Sequence, residues 1–277
     1  MRKDLNQVKQ IYVHGGTFHA DDVFCAAFVQ MINPDIEVVR GFDPPLDAQP
    51  DVLVADIGDG EFDHHAQPRE ARPNGVLYAA FGKLVRAYGD LLFADPDDQF
   101  IFDVKLVQPL DDCDNNGTPN SLARAIKNMN PNWNEDTSEE GRMKSFMRAV
   151  DLAKDVINDE LCAFDAAHQA KQEVEIALGE MQDHIVVLEE YMPFQNVLKD
   201  TDAIWVVAPS LRGGWSATGV KNGHGENKVY FPKKWWGKRD EELEGFVHGM
   251  RFCHASGFMA TFDTKEAAIE ACKISLK

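Results

Sequence analysis

The sequence is poor in cysteine and has no cysteine pair that could form a metal or redox motif. Five cysteines occur in 277 residues, and no two of them are spaced as Cys-x-x-Cys. An odd and scattered set argues against a disulfide framework and against a structural zinc site. We therefore expect all five thiols to be small, buried core residues.

Basic residues are scarce relative to acidic ones. The chain has 28 lysines and arginines against 46 aspartates and glutamates, which gives a formal net charge of −18. A field of this sign repels long polyanions, so long duplex DNA is not an expected partner. Short anionic substrates are compatible with it, and bound cations would neutralise part of the excess.

Long apolar runs are missing as well. The longest, such as residues 23–29, are far too short to cross a bilayer. The first residues show neither a secretory signal nor a transit pattern. We therefore expect no membrane partner and a reducing, cytoplasmic location.

The sequence does contain short apolar runs that alternate with helical segments. Runs at 10–13, 36–39 and 52–55 indicate buried strands, and residues 21–31 indicate a helix that is apolar nearly all round. This order predicts an α/β fold with a parallel sheet. Two further helices are predicted over 75–88 and 97–110.

The rest of the chain predicts a second, smaller α/β lobe. Residues 139–181 are rich in helix formers and are expected to join the two lobes. We place the domains at 1–160 and 161–277, the second consisting of a helical connector and the small lobe. The expected later elements are strands at 184–188, 203–208 and 215–220 and a helix at 264–276.

Histidines and aspartates follow the predicted strands. His14 comes directly after the first strand, and Asp56 directly after the third. Ligands of parallel sheets bind outside the carboxyl ends of the strands, where these side chains should meet. On the later helix, Asp111 and Asp114 share one face, and the segment 63–65 reads Asp-His-His.

Imidazole and carboxylate ligands without thiolates suit Mn²⁺, Mg²⁺, Fe²⁺ or Zn²⁺. The candidates exceed what one ion needs, so we predict a pair, about 3.5–4 Å apart as in sites that attack phosphorus. Asp56, which emerges from a buried strand, is expected to bridge them. Taken singly, His14 could bond a loop, and Asp21 with Asp22 could merely favour a helix N-terminus. Four clusters at one sheet edge favour the metal explanation.

Together these residues resemble the DHH phosphoesterase superfamily and, more closely, the melanocyte-proliferating-gene (MYG) family. The segments that carry the resemblance span most of the chain: VHGGTFHADD (13–22), VADIGDGEFDHH (54–65), NGVLYAAFG (74–82), LDDCDNNG (110–117), WWGKRDEEL (235–243) and FCHASGF (252–258). The resemblance implies a DHH-type fold for the first domain. It also implies metal ligands at His14, His19, Asp21, Asp56, His64 and one or both of Asp111 and Asp114. His65 would contact a substrate phosphate rather than a metal, with Asp63 behind it.

Two positions depart from the family pattern. The first motif of the superfamily has an aspartate four residues after its histidine, where this chain has Phe18. His19 is expected to take that role, with one extra residue. In the fourth segment Asn116 intervenes before Gly117, so the choice between Asp111 and Asp114 as ligand is open.

The C-terminal lobe contains a local reversal of charge. Residues 209–239 hold seven lysines and arginines and one acid, Glu226, interleaved with tryptophan, tyrosine and phenylalanine. Cations and aromatic rings together hold single strands and nucleotides. The alternative is a solvated basic face over core aromatics. Arg212 is the expected fork-shaped phosphate donor of this lobe. Residues 254–258 resemble the glycine-containing substrate loop of the lobe that accompanies DHH domains, which implies substrate contacts by His254 and Gly257; a structural turn histidine is the alternative for His254.

These observations predict a two-lobed, metal-dependent phosphoesterase with Asp56, His64 and His65 as catalytic residues and the substrate between the lobes. The resemblance implies a 3′–5′ exonuclease or oligoribonuclease that acts on short RNA or nucleotides through metal-activated water. The expected cofactor is a pair of Mn²⁺ ions, with Mg²⁺ as the alternative. An inorganic pyrophosphatase-like hydrolase and a metal-stabilised binding protein without turnover are the competing functions. A homo-oligomer is compatible with the sequence.

Overall fold

The structure is a computed structural model that describes residues 2–45, 49–65, 68–243 and 245–277. The chain divides into two compact units, Met1–Ala163 and Phe164–Lys277. Each unit contains its own sheet and helices, so the α/β class predicted from the sequence is confirmed. None of the helices in the described ranges is long and apolar enough to cross a membrane.

The first unit is built on a parallel sheet of three short strands. They are β1 (Gln10–His14), β2 (Glu37–Gly41) and β3 (Val52–Val54), in the order β2-β1-β3. Both neighbours run parallel to β1, and Tyr12 is level with Val39 on one side and with Val54 on the other. The carboxyl ends of all three strands therefore lie at one edge, as predicted.

Helices cover this sheet. Helix α1 (Ala20–Ile32) buries ten consecutive residues from Ala20 to Val29, as its apolar sequence predicts. The following helices are α2 (Ala80–Tyr88), α3 (Pro96–Phe102), α4 (Gln108–Asn116) and α5 (Ser121–Lys127).

The single helix predicted over 97–110 is wrong, because a π-helical segment at Asp103–Val107 separates α3 from α4. Pro109 supplies the physical reason. It has no N–H to donate to the carbonyl four residues back, and its ring would clash with that carbonyl. The chain instead closes a wider turn, in which the N–H of Gln108 donates to Asp103 O.

Helix α6 (Glu139–Gly179) is 41 residues long, and the boundary between the two units falls inside it. Three cysteines are buried as predicted. The prediction is wrong for Cys162, which is exposed on α6, and Cys113 is only half-buried.

The second unit contains a mixed sheet of five strands. They are β4 (Ile185–Val187), β5 (Trp205–Pro209), β6 (Trp215–Gly219), β7 (Met250–Cys253) and β8 (Met259–Phe262). Their order in the sheet is β4-β5-β6-β8-β7; β4 and β5 are parallel, and the other neighbouring pairs are antiparallel. The helices of this unit, besides the end of α6, are α7 (Gln195–Leu198) and α8 (Lys265–Ser275).

The core of the second unit uses aromatic side chains from the basic segment 209–239. Phe231 stacks on Trp205 with ring centroids 4.2 Å apart, and Trp235 lies 5.6 Å from Phe231. Both Phe231 and Trp235 are fully buried in this core. They therefore cannot stack on a nucleic acid, and that part of the sequence-based expectation is wrong.

Candidate metal centre

The first unit gathers the predicted ligands at the carboxyl edge of its sheet. His14 is the last residue of β1, and Asp56 follows β3 after one intervening residue. Asp56 has φ of 59°, a left-handed conformation that non-glycine residues rarely adopt but that aspartate tolerates. Its N–H donates to Phe62 O, which brings the following Asp-His-His segment back to the sheet edge.

Asp56 lies at the centre of the cluster. Its Oδ2 is 3.4 Å from His14 Nε2, and its Oδ1 is 3.1 Å from His64 Nε2. The residue is only 4% exposed. It belongs to two groups whose ligand atoms all lie within 4.8 Å of one another, one with His14 and His19 and one with His64 and His65. A single carboxylate thus faces two sets of imidazoles.

The orientation of His64 is fixed by Asn115. The Nδ2 of Asn115 donates to Asp111 O, so its Oδ1 is the atom 3.2 Å from His64 Nδ1. His64 therefore carries a proton on Nδ1, and its Nε2 is turned towards the carboxylates.

Three carboxylates surround His64 Nε2. Asp56 and Asp114 each lie 3.1 Å from it, and Asp21 lies 3.8 Å away. Burial opposes a charge on the ring, but the hydrogen bonds with Asp114 and Asp56 outweigh it and raise the pKa of His64 to about 11. This nitrogen sits where a positive charge is strongly favoured, whether a proton or a metal ion supplies it.

Asp21 and Asp22 open α1 and are buried. Asp21 accepts hydrogen bonds from the first amides of α2, Ala80 N at 3.0 Å and Phe81 N at 2.8 Å. Burial and the nearby charge of Asp56 raise its pKa well above the usual range. Asp22 accepts from His19 N, and burial raises its pKa to about 7.

Two buried polar atoms of this cluster have no well-aligned hydrogen bond. They are His14 Nε2 and Asp22 Oδ2, which face each other at 3.2 Å. Buried polar atoms are nearly always satisfied by some partner. The site thus presents carboxylate oxygens and imidazole nitrogens that have too few hydrogen-bond partners. Ligand atoms of this kind fit a divalent cation.

The structure brings Asp114 to the cluster but not Asp111. Asp111 is fully buried, and its carboxylate pairs with Arg72 at 2.7 Å and accepts from Gly82 N at 3.2 Å. The Arg72 guanidinium also binds Asp103 through two nitrogens. Asp111 is therefore tied to the packing of α4, whereas Asp114, a turn later, faces His64.

His65 lies beside the cluster with a free face. Its Nδ1 is 2.7 Å from Asp63 Oδ1, and 62% of its side chain is exposed. Asp63 is buried and also accepts from the backbone N–H groups of Asp59 and His65. Asp63 therefore orients the ring of His65.

The extra residue in the first motif has a structural explanation. Phe18, where the superfamily has an aspartate, is fully buried and packs edge-on against Phe146. Asn130 holds the Phe18 backbone by accepting from its N–H and donating to its carbonyl. His19 comes one position later, with its ring centroid 5.1 Å from that of His14.

The second unit contains the remaining three candidates, Arg212, His254 and Gly257. Arg212 is exposed, and His254 Nδ1 is 2.7 Å from Ser256 Oγ. Gly257 has φ of 70°, and a Cβ there would lie 2.0 Å from Trp236 Nε1. Packing inside the loop therefore accounts for this glycine, and substrate contact by these residues stays a prediction.

Sequence reasoning missed Asn115 and Arg40, which contact members of the cluster, and Arg72, which pairs with Asp111. The Nη2 of Arg40 is 3.5 Å from Asp22 Oδ2, and its guanidinium lies over the ring of Phe146. Arg40 sits at the end of β2, so the edge argument that found His14 could also have found it. Asn115 lies inside the segment 110–117 that carries the family resemblance, but nothing in the sequence shows that its amide contacts a histidine.

The first unit is an α/β unit with histidines and aspartates gathered at the carboxyl edge of a parallel sheet, a donor set that could hold a divalent metal ion. The family model MYG1_exonuc, described as uncharacterised protein family UPF0160, matches residues 10–276. The chain belongs to this MYG family, as its motifs predict.

Relatives match over almost the whole chain. The MYG1 protein of Saccharomyces cerevisiae is 28% identical over 97% of this chain and 96% of its own length. The MYG1 exonuclease of Rattus norvegicus is 26% identical over 99% of this chain and 86% of its own, and that of Homo sapiens 25% identical over 99% and 88%. No solved structure matches significantly.

Proposed function

We propose that this protein is a metal-dependent phosphoesterase of the DHH type, a 3′–5′ exonuclease that acts on short RNA with two Mn²⁺ ions. One observation carries the proposal. The two oxygens of Asp56 face different imidazoles, His14 at 3.4 Å and His64 at 3.1 Å. A carboxylate shared in this way is what a pair of ions needs as its bridge.

The ligands divide around Asp56. His14 and His19 would hold one ion, and His64 with Asp21 and Asp114 would hold the other, in line with the groups of ligand atoms within 4.8 Å. Asp22, 3.2 Å from His14 Nε2, adds negative charge on the first side. Bound divalent ions would lower the pKa of water and neutralise charge on a phosphate.

His65 is suited to the substrate. Asp63 accepts the Nδ1–H at 2.7 Å, which keeps the proton on that nitrogen and fixes the ring plane. The other ring nitrogen is then available to a phosphate oxygen when protonated, or to a leaving-group proton when neutral. Exposure of the ring beside a buried cluster favours substrate contact over metal binding for this residue.

The nucleic-acid substrate is supported by the relatives named MYG1 exonuclease. The net charge of −18 favours short substrates, because a long polyanion would be repelled along much of its length. As an exonuclease, the protein would remove nucleotides one at a time from a free end of the RNA.

The test uses a 5′-labelled pentaribonucleotide with Mn²⁺, and Asp56→Asn as the variant. This isosteric change removes the bridging charge, and we expect the rate to fall about a thousandfold, as for loss of a central charge-stabilising group. The matched control is Asp59→Asn, an exposed aspartate that also has positive φ, 54°, in the same turn. It should cleave like the wild type.

The outcomes separate the alternatives. Stepwise shortening of the 5′-labelled RNA from its 3′ end supports the exonuclease function. Turnover of pyrophosphate without RNA cleavage would favour the pyrophosphatase-like function. Mn²⁺ binding without any hydrolysis would favour a binding protein, and full activity of Asp56→Asn would refute the metal centre.

A further inference from the structure

A cavity of about 500 Å³ adjoins the metal cluster in the first unit. His19 and Asp114, both members of the cluster, are among its lining residues. The remaining walls come from the first residue of α1, helix α4, the loop 117–120 and helix α5. A ligand in this cavity would therefore touch the proposed catalytic centre at one end.

Two cations line the cavity. Arg124 and Lys127 are three residues apart on α5, so they share a helix face. Both are exposed, and neither has an ion-pair partner within the part of the chain that the structure describes. In a chain with a large acidic excess, two unneutralised cations beside a carboxylate cluster indicate a site for an anion.

The rest of the lining is not what a bare phosphate requires. Leu110, Pro119 and Ala123 supply apolar surface, while Thr118 and Ser121 supply hydroxyl groups. The volume lies within the range of about 300–1,000 Å³ of small-molecule sites, which are apolar with a few polar anchors. These features fit a sugar and base attached to the anionic group.

We propose that this cavity binds a nucleoside monophosphate unit of the substrate, with its phosphate held by Arg124 and Lys127. The proposal rests on the proposed function in that the substrate is a nucleic acid, but binding itself needs no turnover. In the RNA strand, this nucleoside monophosphate would be the neighbour of the nucleotide at which hydrolysis occurs. The sequence does not indicate this site, because its cluster of basic residues lies in 209–239.

The test is calorimetric binding of 5′-AMP, adenosine and inorganic phosphate to the Mn²⁺-loaded full chain. Arg124→Gln and Lys127→Gln should each weaken 5′-AMP binding about tenfold, the usual effect of losing one charge-assisted phosphate contact. The matched controls are Arg148→Gln and Lys105→Gln, exposed cations that do not line the cavity. Both should bind 5′-AMP like the wild type, and adenosine should bind equally to all five proteins.

Equal binding of 5′-AMP by variants and controls would overturn the proposal. Phosphate binding as tight as that of 5′-AMP would overturn its nucleoside part. Circular dichroism checks folding, and the exposed positions of both cations make unfolding of the variants unexpected.

RNA cleavage separates this proposal from the proposed function. If wild type cleaves RNA, the KM of Arg124→Gln should rise about tenfold, for the same lost contact. If wild type cleaves no RNA but 5′-AMP binding still weakens in the variants, the exonuclease function fails and the nucleotide site stands. If RNA is cleaved and KM does not change in either variant, the nucleotide site fails alone.

Discussion

Replacing Asn115 by alanine removes the acceptor that holds the Nδ1–H of His64. The bond measures 3.2 Å, at the long end of the normal range. Without it the ring can rotate, and either nitrogen can carry the proton. Groups that orient a metal-bound histidine in this way typically contribute 10–100-fold to affinity, and the long bond points to about tenfold, or 1.4 kcal/mol.

Mn²⁺ titration by isothermal calorimetry measures this effect directly. The matched control is Asn116→Ala, because this neighbouring amide is exposed and donates to Asp112 on the helix surface. Asn116→Ala should bind Mn²⁺ like the wild type. If Asn115→Ala also keeps the wild-type affinity, the orientation of His64 does not depend on this amide and the argument is wrong.

Two further predictions concern packing and pH. Gly82→Ala should destabilise the protein by about 2 kcal/mol in denaturant unfolding, because its Cβ would lie 2.0 Å from Asp111 Oδ2 in a buried network. Gly179→Ala, with nothing within 4 Å, should be neutral or stabilising by up to about 1 kcal/mol; equal effects would refute the packing argument. Asp22 has a folded pKa of about 7 against an ordinary 3.8, so without metal its ionisation costs stability as pH rises from about 4 to 7, by at most about 4 kcal/mol. Mn²⁺ should therefore raise the melting temperature more at pH 8 than at pH 5, and equal shifts would contradict this.

Much of the metal cluster could be predicted from the sequence, because the order of strands and helices sets the direction of each strand. Parallel strands place their carboxyl ends at one edge, so the positions of His14 and Asp56 after β1 and β3 suffice to bring them together. Asp21 joins them because α1 starts at the same edge. These relations need only the order of the elements.

The choice between Asp111 and Asp114 could not be made in this way. Both lie on one face of α4, and the face alone does not distinguish them. The distinction comes from Arg72, far upstream in the chain, whose guanidinium pairs with Asp111 at 2.7 Å. Contacts of this kind depend on tertiary packing, which periodicity does not encode.

In the second unit, too, the sequence does not tell which side chains are buried. Trp235 and Phe231 alternate with lysines in an irregular segment, where no period tells which side chains turn inwards. Strands β7 and β8 also escaped prediction, because they are four residues long and β7 contains the charged Arg251. Short strands with a charge carry too little pattern to be recognised.

The bridging role of Asp56 is tested most directly by Mn²⁺ stoichiometry and electron paramagnetic resonance at pH 8. Wild type and Asp59→Asn should bind two ions per chain with the spectrum of an exchange-coupled pair. In Asp56→Asn the coupled spectrum should disappear. A single uncoupled ion in the wild type, or an unchanged coupled spectrum in Asp56→Asn, would contradict a two-ion centre bridged by this carboxylate.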